Sequence, residues 1–194
     1  MSRRRRTPAP VAVFLWRRLD ERGHDACGLW RATTGWRLSG AAAFREAGLA
    51  CHLRYEVLAD SAWRTRRATV SGTAGRRVVD LQVTSAARGG WTLNGVPQPR
   101  LRGCVDVDLG FTPATNLLPI RRLALKVGQR AEAPAAYLEF PRLRLLVLPQ
   151  IYGRLSATRY AYESPAHNYA ATLEVTKIGA IANYPGVFEL ITSG

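Results

Sequence analysis

The chain has little of what marks familiar chemistries. Histidine occurs three times, at His24, His52 and His167, and none stands beside a serine or cysteine in a recognisable nucleophile setting. There is no G-x-S-x-G elbow, no phosphate-cradling glycine loop and no His/Cys spacing of a metal site. A histidine-dependent hydrolase is thereby disfavoured, and no catalytic residue, metal or cofactor is expected. Cysteine is confined to Cys27, Cys51 and Cys104, an odd number, each among apolar neighbours. They read as buried free thiols in a reducing compartment.

Long apolar runs are missing too. Val11 to Trp16 is too short for a secretory core, and Arg17-Arg18 follow at once. Nothing elsewhere nears the ~18 apolar residues of a membrane span, so a cytoplasmic protein is expected. Lysine occurs only at 126 and 177, so all but two of the 28 basic residues are arginine, and the net charge is +14. This skew reads as base composition before function. Arg3 to Arg6 form a basic tail, and the other arginines scatter. Nucleic acid is permitted as a partner but not indicated.

What is present is a succession of short alternating pieces. Hydrophobic residues make up 47% of the chain, enough for a core, and 17 glycines and 11 prolines are spread along it. In Cys51 to Ala59, residues Cys51, Leu53, Tyr55 and Val57 face one way and His52, Arg54 and Glu56 the other, the period of a half-buried strand. Trp36–Phe44, Trp63–Thr73, Arg77–Ser85 and Trp91–Leu93 follow suit, and Asn94-Gly95 is a strong hairpin turn. In Trp63–Thr73 neither face is plainly apolar. The pieces from 51 to 109 read as one meander. Val11–Leu19 is ambiguous between strand and helix, residues 20–25 read as a loop, and Cys27–Arg31 as a short strand. Further on, Leu123, Leu125 and Val127 alternate, 128–134 reads as a loop, and Leu143–Leu148 is dense enough to be buried on both faces. Tyr160 and Tyr162 share a face, as do Tyr169, Ala171, Leu173 and Val175. Short helices are expected only near Pro113–Leu118 or 154–159. The sum is an all-β protein: a large curled antiparallel sheet, a β-roll or open half-barrel, of about twelve strands. Residues 1–10 are expected as a disordered tail and 11–194 as a single domain.

The stretch from Gly103 to Leu123 organises the rest. Val105, Val107 and Leu109 share one strand face, and Asp106 and Asp108 the other. Thr112-Pro113-Ala114-Thr115-Asn116 is turn chemistry. Arg121 and Arg122 then come within reach of the two carboxylates, as bidentate ion pairs. Alternatively, two carboxylates about 7 Å apart along a strand could flank a glycosidic bond. The ion-pair reading is preferred.

Gly103-Cys104-Val105-Asp106-Val107-Asp108-Leu109, followed by Thr112 to Leu123, resembles the family described as "putative glycolipid-binding", formerly a domain of unknown function. Trp36 to Gly40, Gln150-Ile151-Tyr152, Tyr160-Ala161-Tyr162 and Asn183-Tyr184-Pro185-Gly186 extend the likeness over most of the chain. The resemblance implies a curled antiparallel sheet like that of the bacterial lipoprotein carriers, holding acyl chains in a half-barrel.

Tyrosine and tryptophan recur, and their flat apolar bodies with polar handles suit sugars and amphiphiles. The reading adopted is a non-catalytic protein that binds a lipid or glycolipid on the concave side of the sheet. Its polar cluster, ligand-binding or structural, comprises Asp106, Asp108, Thr115, Asn116, Arg121, Arg122, Gln150, Tyr152, Tyr160 and Tyr184. The alternatives are an enzyme acting on a sugar or lipid headgroup through Asp106 or Asp108, and a basic surface for nucleic acid.

Overall fold

The structure is a computed structural model and describes residues 8–86 and 90–194. The arginines at 3–6 and the glycine turn expected at 88–90 fall wholly or partly outside those residues. Strands dominate. The first eight are β1 (Ala12–Arg18), β2 (Gly23–Ala32), β3 (Gly35–Glu46), β4 (Leu49–Asp60), β5 (Thr65–Ala74), β6 (Arg77–Ser85), β7 (Trp91–Leu93) and β8 (Val96–Pro97). After β9 (Asp106–Leu109) comes a 3₁₀ turn (Pro113–Asn116) and the one α-helix described, α1 (Leu117–Leu123). Then follow β10 (Arg130–Glu132), β11 (Ala135–Glu139), β12 (Arg144–Leu148), β13 (Ile151–Arg154), β14 (Arg159–Ser164), β15 (Tyr169–Val175), β16 (Ile181–Tyr184) and β17 (Phe188–Ser193).

Fourteen strands form one antiparallel sheet in the order β10-β13-β14-β15-β16-β17-β1-β2-β3-β4-β5-β6-β7-β8. Its two edge strands do not pair with each other, so the sheet is open and not a barrel. Both edges are short, and Pro97 lacks the N–H that would invite another strand. The ambiguous N-terminal segment is a strand, clamped between β2 and β17. Its Trp16 donates from Nε1 to the Ile181 carbonyl at 2.7 Å.

Local patterning explains the clear strands. Cys51, Leu53, Tyr55, Val57 and Ala59 of β4 are all buried. Asn94 and Gly95 both have positive φ, 48° and 80°, as a tight hairpin turn demands. In β5 the pairing with β4 skips Arg66, which leaves Arg66 and Arg67 exposed side by side. That bulge is why no clean alternation shows there.

Several expectations are corrected. There are seventeen strands among the described residues, more than twelve, because pieces of two to four residues carry too few positions to alternate visibly. Residues 23–25 belong to β2, and 130–132 to β10. Leu123 ends α1, and Val127 lies 63% exposed in a loop, so the alternation at 123–127 is not a strand. β12 is not buried on both faces: Leu146 and Val147 are 40% and 42% exposed, because it is an edge strand. No helix forms at 154–159, whereas the 3₁₀ turn and α1 do form from Pro113.

The meander ends at β8. β9 leaves it and builds a second sheet, ordered β12-β11-β9, in which β9 and β11 run parallel. A parallel pair needs a crossover, and α1 lies in it. Both faces of this small sheet are covered. Val107, Leu109, Ala136, Leu138 and Leu145 join one buried cluster with Leu38, Leu53 and Val70 of the large sheet, Phe111, and Leu117 and Leu118 of α1. The opposite face carries Asp106, Asp108, Tyr137 and Leu148. The large sheet curls around the small one, and much of its concave side is filled by the chain itself. No helix among the described residues is long and apolar enough to cross a membrane.

Candidate functional site

The side of the small sheet away from the aliphatic cluster is polar at its centre. Asp108 on β9 is paired with Tyr137 on β11, and Tyr137 with Leu146 on β12. Paired residues project to the same side of a sheet. This row runs from a carboxylate inside, through an aromatic, to an exposed leucine at the edge.

Two aspartates of one strand face have different partners. Asp106 is 1% exposed and is held by Arg122, with Nε 3.0 Å from both carboxylate oxygens and Nη2 2.6 Å from Oδ2. Burial outweighs the guanidinium, so its pKa is raised all the same. Asp108 instead accepts from Nε2 of Gln150 at 2.6 Å, and the same nitrogen lies 3.1 Å from the Tyr162 hydroxyl. Burial pushes Asp108 up to about 6. Burial, then the charge on Asp108, pushes Tyr137 up to about 12, and raises Tyr162 likewise.

Between the two sheets lies a cavity of about 220 Å³. Asp108, Tyr137 and Leu148 form one wall; Tyr162, Tyr169, Tyr184 and Phe188 form the other; Gly110, Pro113 and Asn116 close the base. Tyr162, Tyr169 and Tyr184 pack on one another with ring centroids 5.3 to 6.2 Å apart. Gly110 is required by the near wall, since a Cβ there would stand 2.6 Å from the Tyr137 ring. The exposed His167 lies at the rim, its Nδ1 3.2 Å from the Ser164 hydroxyl. Pockets for small molecules usually enclose about 300–1,000 Å³. The space suits a ring-sized polar group, not an acyl chain.

The ten residues singled out from the sequence separate into four groups. Asp108, Asn116 and Tyr184 line the cavity. Gln150 and Tyr152 stand directly behind it, with Gln150 on Asp108 and the Tyr152 hydroxyl accepting from Asn116 Nδ2 at 2.9 Å. Asp106, Arg122 and Thr115 brace the base; the Thr115 hydroxyl accepts the Leu109 N–H. Arg121 and Tyr160 do not line it: the Arg121 guanidinium sits 5.3 Å over the Trp63 ring, and Tyr160 is buried in the cluster that also holds Tyr152, Tyr162 and Leu173. The expected pairing of Arg121 with the aspartates is therefore corrected. Adjacent residues of a helix point about 100° apart, so only one of the two arginines can reach Asp106. The aspartate face is not open: Arg122 closes over Asp106, and Gln150 bonds Asp108.

Sequence reasoning missed Tyr137, His167 and Asp25. Tyr137 and His167 carry no local signal. Asp25 does: it shares a strand face with Cys27 and Leu29, which bury it. It is 1% exposed and faces no cation in its hydrogen-bonded shell. The Tyr55 hydroxyl donates to it at 2.9 Å, and the Thr112 hydroxyl donates to it as well. Burial pushes its pKa up to about 7. All three cysteines are buried thiols. Among the described residues no group of three His, Cys, Asp or Glu side chains is placed to hold a metal ion.

Fold and cavity define a class: all-β proteins in which one long open sheet wraps a short helix and a smaller sheet, leaving a tyrosine-lined space between. Within that class, the chain belongs to the family described as "putative glycolipid-binding", whose sequence model matches residues 13–189. It is similar to a crystal structure of a DUF1089-family protein from Pseudomonas aeruginosa, at 29% identity and a TM-score of 0.75, over 97% of each chain. No curated protein matches it in sequence.

Proposed function

We propose that the protein is a non-catalytic binder of an amphiphile of the glycolipid type, with the polar headgroup in the cavity and the tail leaving over β12. The observation that carries this is the row Asp108–Tyr137–Leu146, polar at depth and apolar where it meets solvent. The family description supports the ligand class. Because the interior of the large sheet is filled by α1 and the small sheet, the tail lies on the protein, not inside it.

The enzyme reading has less support. A two-carboxylate mechanism needs both acids at the substrate, yet Asp106 is locked to Arg122 and does not line the cavity. The nucleic-acid reading is weakened at the arginine-rich strand, where Arg66 and Arg67 lie against Asp60 and Glu56.

Native mass spectrometry and lipid extraction of the purified chain test the proposal. The expected result is one amphiphile per chain, with alkyl glucosides binding more tightly as the tail lengthens. Leu146→Ser should flatten that dependence. A chain that carries no amphiphile and binds no alkyl glucoside would refute it.

A further inference from the structure

In a chain with a net charge of +14, no arginine or lysine among the described residues lines the cavity. Chance would place one there readily, since arginines are scattered over both sheets. The guanidinium of Arg18 lies 5.9 Å from the ring of the wall residue Phe188. Its Nη1 is buried without a partner, but its charge is met by two acids, Asp20 and Glu46, each at 2.8 Å. Arg122 is likewise committed to Asp106. The charged group that does line the space is the carboxylate of Asp108, which adds to burial in raising the hydroxyls of Tyr137 and Tyr162.

We infer that the cavity selects an uncharged polyhydroxyl ring, a neutral sugar, and rejects phosphate or sulfate headgroups, with Asp108 as the residue that sets this choice. The inference rests on the headgroup-binding reading above and narrows it to one ligand class. The polar inventory fits hydroxyl groups. Asp108 gives Oδ2 to Gln150, and Oδ1 has no partner among the described residues. Asn116 gives its Nδ2 to Tyr152 and keeps its carbonyl oxygen. The Tyr137 hydroxyl and Nε2 of His167 are also without protein partners there. Two acceptors, a hydroxyl that both donates and accepts, and an imidazole nitrogen match the donor-and-acceptor character of sugar hydroxyls. Tyr169 and Tyr184 also line the space, and aromatic rings suit the C–H side of a pyranose. An anion would meet the Asp108 carboxylate with no arginine or lysine among the lining residues to offset it, which is unfavourable. A quaternary ammonium would suit the aromatic rings and the carboxylate but would leave the Asn116 oxygen, the Tyr137 hydroxyl and the His167 nitrogen without hydrogen bonds.

The test titrates the full chain at pH 7.5 with three probes of equal tail length: octyl β-glucoside, octyl phosphate and octyltrimethylammonium. Calorimetry gives affinity, and the tyrosine ring signals in NMR report cavity occupancy. The glucoside should bind about ten-fold or more tighter than the phosphate, since a hydrogen bond to a charged group is worth roughly one decade or two in affinity. Asp108→Asn should weaken the glucoside about ten-fold and narrow its lead over the phosphate. If that variant does not fold, His167→Ala at the exposed rim should weaken the glucoside several-fold while leaving the phosphate weak. Equal or tighter binding of octyl phosphate or octyltrimethylammonium overturns the inference and leaves the amphiphile reading standing. Failure of all three to move the tyrosine signals overturns that reading as well.

Discussion

The two faces of the small sheet look onto two unlike halves of the large one. Towards β2–β6 the packing is mainly aliphatic and aromatic around the buried Asp25 and Thr65, and Leu53, Ala68 and Leu109 are wholly buried. Towards β14–β17 the wall is tyrosine, whose rings meet at an angle and whose hydroxyls need partners, so space is left. The first half is close-packed, and the second is where the proposed ligand would be met. Substitutions should therefore act differently on the two sides.

The largest effect belongs to the brace between them. Arg122→Ala leaves Asp106 buried without its cation and should cost about 3–5 kcal/mol in urea unfolding. A loss near zero would mean that water reaches Asp106. Leu53→Ala on the aliphatic side should cost about 2–5 kcal/mol, with glucoside binding by the folded fraction unchanged. Tyr169→Phe, which removes the hydroxyl bonded to the Pro185 carbonyl at 2.7 Å, should cost only about 0.5–1.5 kcal/mol yet reduce binding. If Leu53→Ala reduced binding and Tyr169→Phe did not, the contrast would be reversed.

A pH titration sharpens the same contrast. Asp25, on the filled side, has a folded pKa of about 7, above its ordinary value of 3.8. The folded state thus holds a proton that the unfolded chain has released. Its contribution is full below about 4 and is lost as pH rises through about 7. Melting temperature should fall over that window, and Asp25→Asn should reduce the slope, leaving the part that belongs to Asp108, raised to about 6. The smallest effect is expected at the solvent-exposed pair on β14: Glu163→Gln breaks the contact with Arg130 and should change stability by no more than about 1 kcal/mol.

Much of the large sheet was legible because its strands have one wet face. β4 shows its alternation openly, and Asn94-Gly95 announces its turn. The departure of β9 was not legible, because which strand pairs with which is decided by residues thirty positions away on β11. Half of the candidate site followed from local spacing. The Asp106–Arg122 pair came from a strand followed by a turn and a helix. The link from Asp108 to Gln150, 42 residues on, did not, and neither did Tyr137 or His167, which only the crossover and the β14–β15 turn bring to the cavity.

One pairing has an outcome in time. The earliest strand sits mid-sheet with the last one beside it, and the backbone of Val13 exchanges hydrogen bonds with Gly194. As the polypeptide leaves the ribosome, β2 to β7 can zip in sequence, but one flank of β1 must wait raw until residues 188–193 emerge. A chain cut before Phe188 would leave that flank of β1 as an unpaired edge, open to a strand of another molecule.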